Sequence, residues 1–586
     1  ITNQVPGVSI RLLELKKGKI SDAQGEFRFE NINPGTYTIQ ASFVGYKTLN
    51  QAVTLDAGKT LNLSLELVET STDLKEIVVV GYVSQNEKTV TIGKLPIRPM
   101  DLPQSVVTLD KSLLDAQQVS RMSDVLMNTN GVYIFGATGG YQEEIAARGF
   151  SMASSNTFKN GMRYANGMIS ELSGVEKVEI LKGSAAILYG NVAAGGVLNL
   201  VTKKPKFNFG GELSLRTGSW DMYKPSVDVY GGLSKNIAVR LNASYERANS
   251  FRVGVSSERV YVNPSILFKL GEKTEWIVEG DYLADRRTPD FGAGIINYQL
   301  VDIPRERFLG VAWSNIKSSQ SSVTATMSHR FNENWTLKWM SGLRQNASHL
   351  FSNTRPNAGV LITADGRWVR NLQKSEVDEN YGISQIDLIG NLSWMGVKHQ
   401  VLVGADTDFY NTNTYAYDQF ARYDTVNVFV GPLPNARQDQ PNMNPFTKTT
   451  APIRRFGVYA QDLIHVNEHW KVLAGLRYSY QQTLSDVYAY SSGKTTRSSN
   501  FDGAFSPRLG VVFKPTVNHA VFASYSNSFA LNTGVDINNQ ALPPSLIDQY
   551  EVGVKNDLWD GFVSVNVTAY RILNNNLAQN SLINAT

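Results

Sequence analysis

The chain has 586 residues, and its formal net charge at pH 7 is only +4. Such a weak charge, without a long basic block, argues against nucleic acid as a partner. The sequence has no cysteine, which excludes disulfides, thiolate metal sites and cysteine nucleophiles. It has no apolar run of about 18 residues, so a transmembrane helix is not expected. A β-barrel needs only short strands of alternating polarity and remains open as a membrane structure.

Residues 1–69 alternate in polarity as half-buried β-strands do. An Asn-Pro-Gly turn separates two runs whose apolar positions share one face: Phe27, Phe29, Tyr37, Ile39 and Ala41. This pattern predicts a small antiparallel β-sandwich. No clear first strand opens it, so we expect the domain to be trimmed at its N-terminus. No signal peptide precedes it either, and we expect that any such signal has been removed.

Residues 70–99 contain the segment LKEIVVVGY at 74–82, in which four β-forming apolar residues lie between polar flanks. A short strand-forming segment without a partner in its own chain can add as a strand to the sheet of another protein. The alternative is a last strand of the preceding sandwich. The position of the segment between two domains favours the first interpretation.

Residues 100–205 predict a compact mixed α+β domain. Four apolar residues fall on one helical face: Val119, Met122, Val125 and Leu126. An Asn-Gly pair after them ends the predicted helix. Glycine-rich turns follow at residues 136–140 and 190–196, around short strands such as VEKVEIL.

Residues 206–586 repeat one pattern, in which strands of alternating polarity are joined by short turns and by long loops. In IAVRLNASYE, at residues 237–246, Ile, Val, Leu, Ala and Tyr share one face, and Arg, Asn, Ser and Glu share the other. The short turns are residues 234–236, 332–334, 467–469 and 516–518. Residues 411–450 predict a long loop. Short turns at one end and long loops at the other are typical of an outer-membrane β-barrel.

The alternative for this region is a large soluble β-protein, built as tandem sandwiches or as a propeller. A propeller would show a repeat of about 40–50 residues with a blade signature, and we find none. Sandwiches do not require long loops at one end only. The barrel is therefore the favoured interpretation, and at about ten residues per strand, with connections of comparable length, the region predicts roughly 17 to 19 strands.

Two kinds of motif resemble catalytic signatures, and neither is expected to act as one. HVNEH at residues 465–469 matches the H-x-x-E-H zinc pattern, but that chemistry needs a helix, and these residues cross a turn between two strands. Residues 58–60 and 493–495 read Gly-Lys-Thr but lack the first glycine of a phosphate-binding loop. No Ser/His/Asp or paired-carboxylate arrangement stands out, so an enzyme is the weaker class.

The run VEKVEILKGSAAILYGNVAAGGVLNLVTKKPK, at residues 175–206, closely resembles the end of the plug domain in TonB-dependent siderophore receptors. Other pieces similar to that family follow in the right order and spacing: ARGF (147–150), GVYAQD (457–462), SPRLGVVF (506–513), YSNSF (525–529) and QYEVGVKN (549–556). Residues 1–69 also resemble the carboxypeptidase-regulatory-like domain that precedes the plug in a subset of such receptors.

The resemblance implies a transmembrane antiparallel β-barrel in the outer membrane of a diderm bacterium, with about twenty-two strands in the family. Residues 100–205 would plug the barrel, and the sandwich would precede the plug. Residues 206–586 would form an incomplete barrel, because we expect its last strands beyond residue 586.

The function implied is import of a ferric siderophore into the periplasm by a monomeric receptor surrounded by outer-membrane lipid. The energy would come from the inner-membrane TonB complex. The family's TonB box matches five residues of the segment 70–99: Glu76, Ile77, Val78, Val79 and Val80. The periplasmic domain of TonB is their expected partner.

In this family basic plug residues pair with acidic residues of the barrel wall, and Arg148 and Lys182 match the basic positions. Glu551 is the expected acidic partner. Asn527 stands where relatives often have an acidic residue, which puts a second such pair in doubt. Four plug glycines are interpreted as tight turns near the barrel wall rather than as ligand contacts: Gly183, Gly190, Gly195 and Gly196.

By resemblance the substrate site lies at the plug apices that face the extracellular mouth and on one barrel loop. The candidate residues are Thr138, Gly139, Tyr141, Gln142, Ser155, Asn156, Tyr164, Met168, Tyr415 and Tyr417. Hydroxyl groups and aromatic faces suit a neutral iron–hydroxamate complex, and the apical loop FGATGGYQ has no basic residue for an anionic catecholate. Any single tyrosine could instead belong to the aromatic girdle. Iron would arrive chelated, so we expect no cofactor and no protein metal ligand.

Two other functions stay open. The substrate could be a glycan, a peptide or cobalamin, although glycan importers with the same N-terminal domain are usually much longer chains. The chain could also be a surface binding protein that has lost transport, but the intact EIVVV segment and the plug argue against this.

Overall fold

A computed structural model of the protein describes residues 8–15, 17–22, 25–43, 48–67, 84–152, 156–164, 168–431, 433, 436–532, 542–559 and 561–578. The chain divides into two compact units, Ile1–Tyr82 and Val83–Thr586. Every helix in the described residues is too short or too polar to span a bilayer.

The first unit contains an antiparallel four-stranded sheet in the order β2-β1-β3-β4. Its strands are β1 (Ser9–Leu12), β2 (Lys17–Ile20), β3 (Gly35–Ser42) and β4 (Leu49–Leu55). Tyr37, Ile39 and Ala41 are buried together on one face of β3, as the alternation predicts. Phe27 and Phe29 pack against this core from a segment outside the strands. The sequence pattern did not reveal β1 and β2, because both strands have only four residues and β2 contains two lysines.

The second unit begins with the plug, which consists of short elements between residues 99 and 202. They are β5 (Val106–Asp110), α1 (Lys111–Ala116), α2 (Met122–Leu126), β6 (Val132–Gly136), β7 (Glu144–Ala147), β8 (Phe150–Ser151), β9 (Thr157–Lys159), β10 (Met162–Arg163), β11 (Val175–Lys182), α3 (Ala186–Tyr189) and β12 (Gly196–Thr202). Single 3-10 turns lie at Pro99–Asp101 and Thr138–Gly140. The strands form a five-stranded sheet, β10-β9-β12-β11-β5, and a three-stranded sheet, β6-β7-β8.

The helical part of the plug is apolar on the predicted face. Val119, Met122, Val125 and Leu126 are all buried in the core between the helices and the five-stranded sheet. The helix itself is shorter than expected, since α2 ends at Leu126 and the chain turns before β6. The predicted strand VEKVEIL is present as β11.

The rest of the unit is one sixteen-stranded antiparallel sheet with a small separate hairpin. The strands are β13 (Gly210–Gly218), β14 (Met222–Gly232), β15 (Ile237–Asn249), β16 (Ser256–Leu270), β17 (Thr274–Arg287), β18 (Ile295–Ile296), β19 (Gln299–Leu300), β20 (Asn315–Arg330), β21 (Trp335–Asn353), β22 (Arg367–Trp394), β23 (Val397–Tyr417), β24 (Phe420–Asn427), β25 (Pro445–His465), β26 (Trp470–Ala489), β27 (Lys494–Thr516), β28 (His519–Ala530), β29 (Ser545–Leu558) and β30 (Val563–Asn575). Each long strand pairs with the next one along the chain, β18 and β19 form the hairpin, and β24 pairs with β22.

Burial in this sheet is reversed relative to a soluble protein. On β15 the polar side chains of Arg240, Asn242 and Glu246 are buried, whereas Leu241 between them is 38% exposed. A barrel with a filled lumen produces this arrangement, because its polar face contacts the plug and its apolar face is turned to lipid. The sheet is therefore a membrane-spanning barrel wall around the plug.

The strands are longer and fewer than expected. β22 alone has 28 residues, so sixteen strands use the length from which roughly 17 to 19 were predicted. Residues 411–450 are not one loop either, because β23 extends to Tyr417, β24 follows it and β25 begins at Pro445. The parts of these strands that extend beyond the membrane are polar on both faces. Such a sequence resembles a loop, so it was predicted as one. The short turns lie where they were predicted.

Candidate functional site

The structure brings Arg148 of the plug together with Glu551 of β29. The two side chains are 4% and 1% exposed and meet as an ion pair rather than as an aligned hydrogen bond. The Arg148 guanidinium also lies 4.4 Å from the ring centre of Tyr570 on β30. Arg148 takes a left-handed backbone conformation, with φ of 52°, which directs it out of the turn after β7. A buried charge pair of this kind is costly to break by removing one partner.

Lys182 has a different partner from the one expected. Its ammonium group donates to the backbone carbonyl and to the side-chain oxygen of Asn130, at 2.6 Å and 2.7 Å, and so stays within the plug. Burial, together with the nearby charge of Arg148, lowers the pKa of Lys182 to about 8. Lys182 therefore orders the turn before β6 in this structure.

Further ion pairs connect the plug to the barrel around its circumference, and the sequence reasoning missed them. They are Lys94–Asp406, Asp101–Lys514, Arg121–Glu246, Lys159–Asp281 and Glu171–Lys224. The only signal for them in the sequence is a charged residue at an inward position of an alternating strand, such as Glu246 in IAVRLNASYE. That signal gives one partner and does not reveal the other.

The stretch of residues 84–104, most of which was predicted as linker, packs against the barrel. The ammonium group of Lys555 on β29 donates to the carbonyl oxygens of Pro99, Leu102 and Gln104, at 2.5 Å, 2.6 Å and 2.9 Å. Lys94 donates to the hydroxyl of Tyr459 at 2.7 Å. The chain that leads out of the predicted energy-coupling segment is thus attached to the wall before it enters the plug sheet.

Two of the four plug glycines lie against the barrel and two against the plug itself. A Cβ atom on Gly183 would clash with the side-chain amide of Gln549 on β29, and one on Gly190 would lie 3.1 Å from Arg477 of β26. Gly195 and Gly196 face the carbonyl oxygens of Ala147 and Leu181. All four glycines lie where another group comes very close to the position of a side chain, as predicted. That group belongs to the barrel wall at Gly183 and Gly190 only.

An open cavity of about 930 Å³ lies between the apical loop of the plug and the loops that follow β15, β17 and β21. Thr138 and Gly139 line it from the plug, and Arg252, Arg287 and Arg355 line it from the barrel. The barrel holds the apical loop in place through two hydrogen bonds. The Arg287 side chain donates to the Gly140 carbonyl at 2.7 Å, and the backbone amide of Asp290 donates to the Gly139 carbonyl at 3.0 Å. This is a concave, polar and largely preformed site.

The other candidate residues divide by their access to this cavity. The Tyr141 ring lies against Gly139, and burial raises the pKa of its phenol, an effect that Arg355 partly opposes. Gln142 is half-buried in the segment after it. Three side chains are enclosed between plug and barrel, at 3% exposure or less: Asn156, Tyr164 and Met168. The Asn156 amide, for example, donates to the carbonyls of Ala193 and Gly196, so it holds a plug turn.

Tyr415 and Tyr417 lie on β23, in the barrel wall and not in a loop. The Tyr417 hydroxyl donates to Glu376 at 2.8 Å, and the ammonium groups of Lys448 and Lys374 lie over the two rings. Ser155 and the predicted TonB box, Glu76 to Val80, lie outside the described residues. Of the candidate residues, Thr138 and Gly139 line the apical cavity on the plug side, and the Tyr141 ring packs against Gly139.

The described residues contain no group of three or more histidine or acidic side chains that could hold a metal ion. His465 ends β25 and His469 lies in the turn before β26, so the HVNEH motif crosses a strand connection.

A membrane barrel whose lumen holds a fastened plug, with an open polar cavity above the plug, defines a gated outer-membrane receptor. The chain belongs to the TonB-dependent receptor family. Residues 262–586 match the family described as "TonB dependent receptor-like, beta-barrel", residues 98–197 match the TonB-dependent receptor plug domain, and residues 2–79 match the CarboxypepD_reg-like domain. The predicted family, its outer-membrane location and its class as a receptor rather than an enzyme are thereby confirmed.

Relatives of the chain include a metal-pseudopaline receptor and two siderophore receptors. The chain is 27% identical to the metal-pseudopaline receptor CntO of Pseudomonas aeruginosa, over 91% of this chain and 75% of that protein. It is 24% identical to the ferripyoverdine receptor of the same species, over 90% of this chain and 66% of that protein. It is 25% identical to the ferrioxamine B receptor of Salmonella typhimurium, over 83% and 69%. The chain thus spans about two thirds to three quarters of the length of these relatives.

Solved structures share the fold. The siderophore receptor PiuA from Acinetobacter baumannii superposes with a TM-score of 0.74 at 22% identity, over 83% of this chain and 75% of that one. The ferripyoverdine receptor of Pseudomonas aeruginosa bound to ferripyoverdine gives 0.74 at 21% identity, over 90% and 71%.

Proposed function

We propose that this receptor binds a ferric siderophore of the hydroxamate type in the apical cavity. It then imports the complex into the periplasm as a monomer, with energy from the TonB complex. The observation that carries the proposal is the cavity of about 930 Å³ over a plug that is fastened to the barrel wall. A cavity of this size takes a drug-sized chelate.

The plug residues that line the cavity support a chelate that is bound with few charged groups of the plug. Thr138 offers a hydroxyl, Gly139 and Gly140 bring backbone close to the ligand, and Tyr141 stands behind them as an aromatic wall. Relatives named for pseudopaline, pyoverdine and ferrioxamine B agree with a metal chelate as substrate. Iron is cargo here and reaches the protein inside its carrier.

Tryptophan-fluorescence titration of the receptor tests the substrate class. We expect saturable quenching by a ferric hydroxamate and none by ferric catecholates, cobalamin or oligosaccharides. Binding of cobalamin or of an oligosaccharide alone would leave the receptor fold standing and remove siderophore from its function.

Deletion of Glu76 to Val80 tests the energy coupling. A strand that pairs with TonB is needed for transport and not for binding. We therefore expect uptake of ⁵⁵Fe-siderophore by intact cells to fall to the background while the titration curve stays unchanged. A deletion variant that still imports its ligand would show that the segment is not the coupling strand.

A further inference from the structure

The apical cavity contains more positive charge than the plug loop alone suggests. The loop itself has no basic residue, but Arg252 and Arg355 reach the same cavity from two barrel loops and Arg287 reaches it from the end of β17. These residues are 103 or fewer positions apart in the chain and lie on separate elements, so the sequence does not group them. Their counter-ions decide what the cavity attracts.

Each acidic group near the cavity is already engaged. Asp290 pairs with Arg252. Asp285, at the end of β17, pairs with Arg287 and with Arg259. Glu144 accepts a hydrogen bond from the Thr138 hydroxyl at 2.7 Å. Asp290 thus offsets the charge of Arg252, Asp285 is shared between Arg287 and Arg259, and Glu144 keeps its charge.

Arg355 differs from the other two arginines. It is exposed and has no ion pair or side-chain hydrogen bond to any other described residue. Its electrostatic effect reaches Tyr141 across the cavity. The lining holds three arginines against two carboxylates, Glu144 and Asp290, and this excess of one positive charge makes the cavity attractive to an anionic group.

The backbone that carries Arg355 is held rigidly, although the side chain is exposed. The three residues before it, Ser352, Asn353 and Thr354, are polar and buried. The Asn353 amide donates to the Thr354 carbonyl at 2.8 Å, and the Thr354 amide donates to Asn371 at 2.8 Å. A guanidinium on a fixed base loses less freedom when a ligand binds, and it presents two parallel donors that match a carboxylate.

We infer that the siderophore carries a carboxylate and that Arg355 binds it, which makes Arg355 a residue that determines specificity. The inference rests on the proposed function and narrows it: the iron is held by hydroxamates, and a separate anionic group of the ligand selects the receptor. Arg252 and Arg287 shape the cavity, and each is paired with a carboxylate.

Two probes with the same ferric trihydroxamate centre test this. Ferric desferrioxamine B ends in an ammonium group, and its N-succinyl derivative ends in a carboxylate. For the unmodified receptor we expect the succinyl derivative to bind about tenfold more tightly. The preference should shrink as salt is raised, because the contact is exposed and therefore screened.

Three variants locate the effect. Arg355→Gln should abolish the preference, because the loss of the positive charge weakens binding of the carboxylate probe and removes a repulsion towards the ammonium probe. Arg355→Lys should keep part of the preference, since it keeps the charge and loses the paired donors. Arg422→Gln is the matched control, because Arg422 is also an exposed arginine near the long-loop end and lies outside the cavity; it should retain the full preference.

The outcomes separate the inference from the proposed function. Equal affinity of the unmodified receptor for both probes, or a preference that survives in Arg355→Gln, would overturn the inference and leave the hydroxamate proposal intact. Failure to bind either probe would overturn both.

Discussion

At the interface between plug and barrel, basic side chains are buried against carboxylates, whereas in the apical cavity Arg355 is exposed and lacks a counter-ion among the described residues. Arg148 and Glu551 are enclosed almost completely, while Arg355 stands on a rigid base at the edge of the cavity. The same functional groups therefore hold the plug in one region and, as we propose, receive a ligand in the other. Burial and pairing distinguish the two uses, and residue type does not.

The comparison has a mechanical side. A buried pair contributes little net stability when both partners are present, but removing one partner is expensive. A plug held by several such pairs stays in place at rest and yields only when it is displaced as a whole. The open cavity is not closed by buried ion pairs of this kind among the described residues, so a ligand can enter and leave it without moving the plug.

Breaking the interface should give the largest effect. Glu551→Gln leaves Arg148 buried without its counter-ion, which should destabilise the seated plug by about 3–5 kcal/mol. We expect the barrel to remain folded and the plug to loosen. Ion conductance of the variant in planar bilayers should rise, and the urea concentration at which the plug unfolds should fall.

The matched control for this variant replaces both charges with apolar groups. Arg148→Met combined with Glu551→Leu removes the unpaired charge and should recover most of the lost stability. Unchanged conductance and unfolding in Glu551→Gln would show that this pair does not fasten the plug.

A pair of glycine variants compares how closely the backbone is packed in the two regions. Gly183 and Gly140 both have positive φ, 89° and 71°, so alanine strains each of them. A Cβ on Gly183 would clash with the side-chain amide of the buried Gln549, whereas one on Gly140 meets nothing within 4 Å. Gly183→Ala should therefore cost about 1–3 kcal/mol more than Gly140→Ala. Thermal unfolding of the two variants measures the difference, and equal midpoints would mean that the wall is not closely packed at Gly183.

The sequence predicted the architecture well for a physical reason. Alternating polarity reports which face of a strand meets lipid, and it identified β15 and its neighbours as wall. The pair Arg148–Glu551 was found through motif resemblance at both ends. Strand length was missed, because the outer part of β22 and β23 is polar on both faces and resembles a loop.

The cavity and most ion pairs could not be found in this way. Lys159 and Asp281 are 122 positions apart, and Asp101 and Lys514 are 413 apart. Which inward charges meet depends on strand register and on how the plug is rotated in the barrel, and neither quantity appears in the sequence. Arg355 was missed for the same reason, while Asn156, Tyr164 and Met168 were placed on apices that the structure encloses.

The smallest expected effect concerns the plug side of the cavity. Thr138→Ala removes the hydroxyl that donates to Glu144 at 2.7 Å, so the Glu144 carboxylate loses a donor that partly offsets its charge and repels an anionic ligand more strongly. Loss of a hydrogen bond worth about 1 kcal/mol corresponds to a roughly fivefold rise in Kd. Thr138→Ser keeps the hydroxyl and should bind normally. Fluorescence titration of both variants with the succinylated ferric probe checks this. If Thr138→Ser raises Kd as Thr138→Ala does, the methyl group of Thr138 supports binding and the hydrogen bond to Glu144 does not. An anionic ligand would then bind without a hydrogen bond to the acidic residues of the cavity.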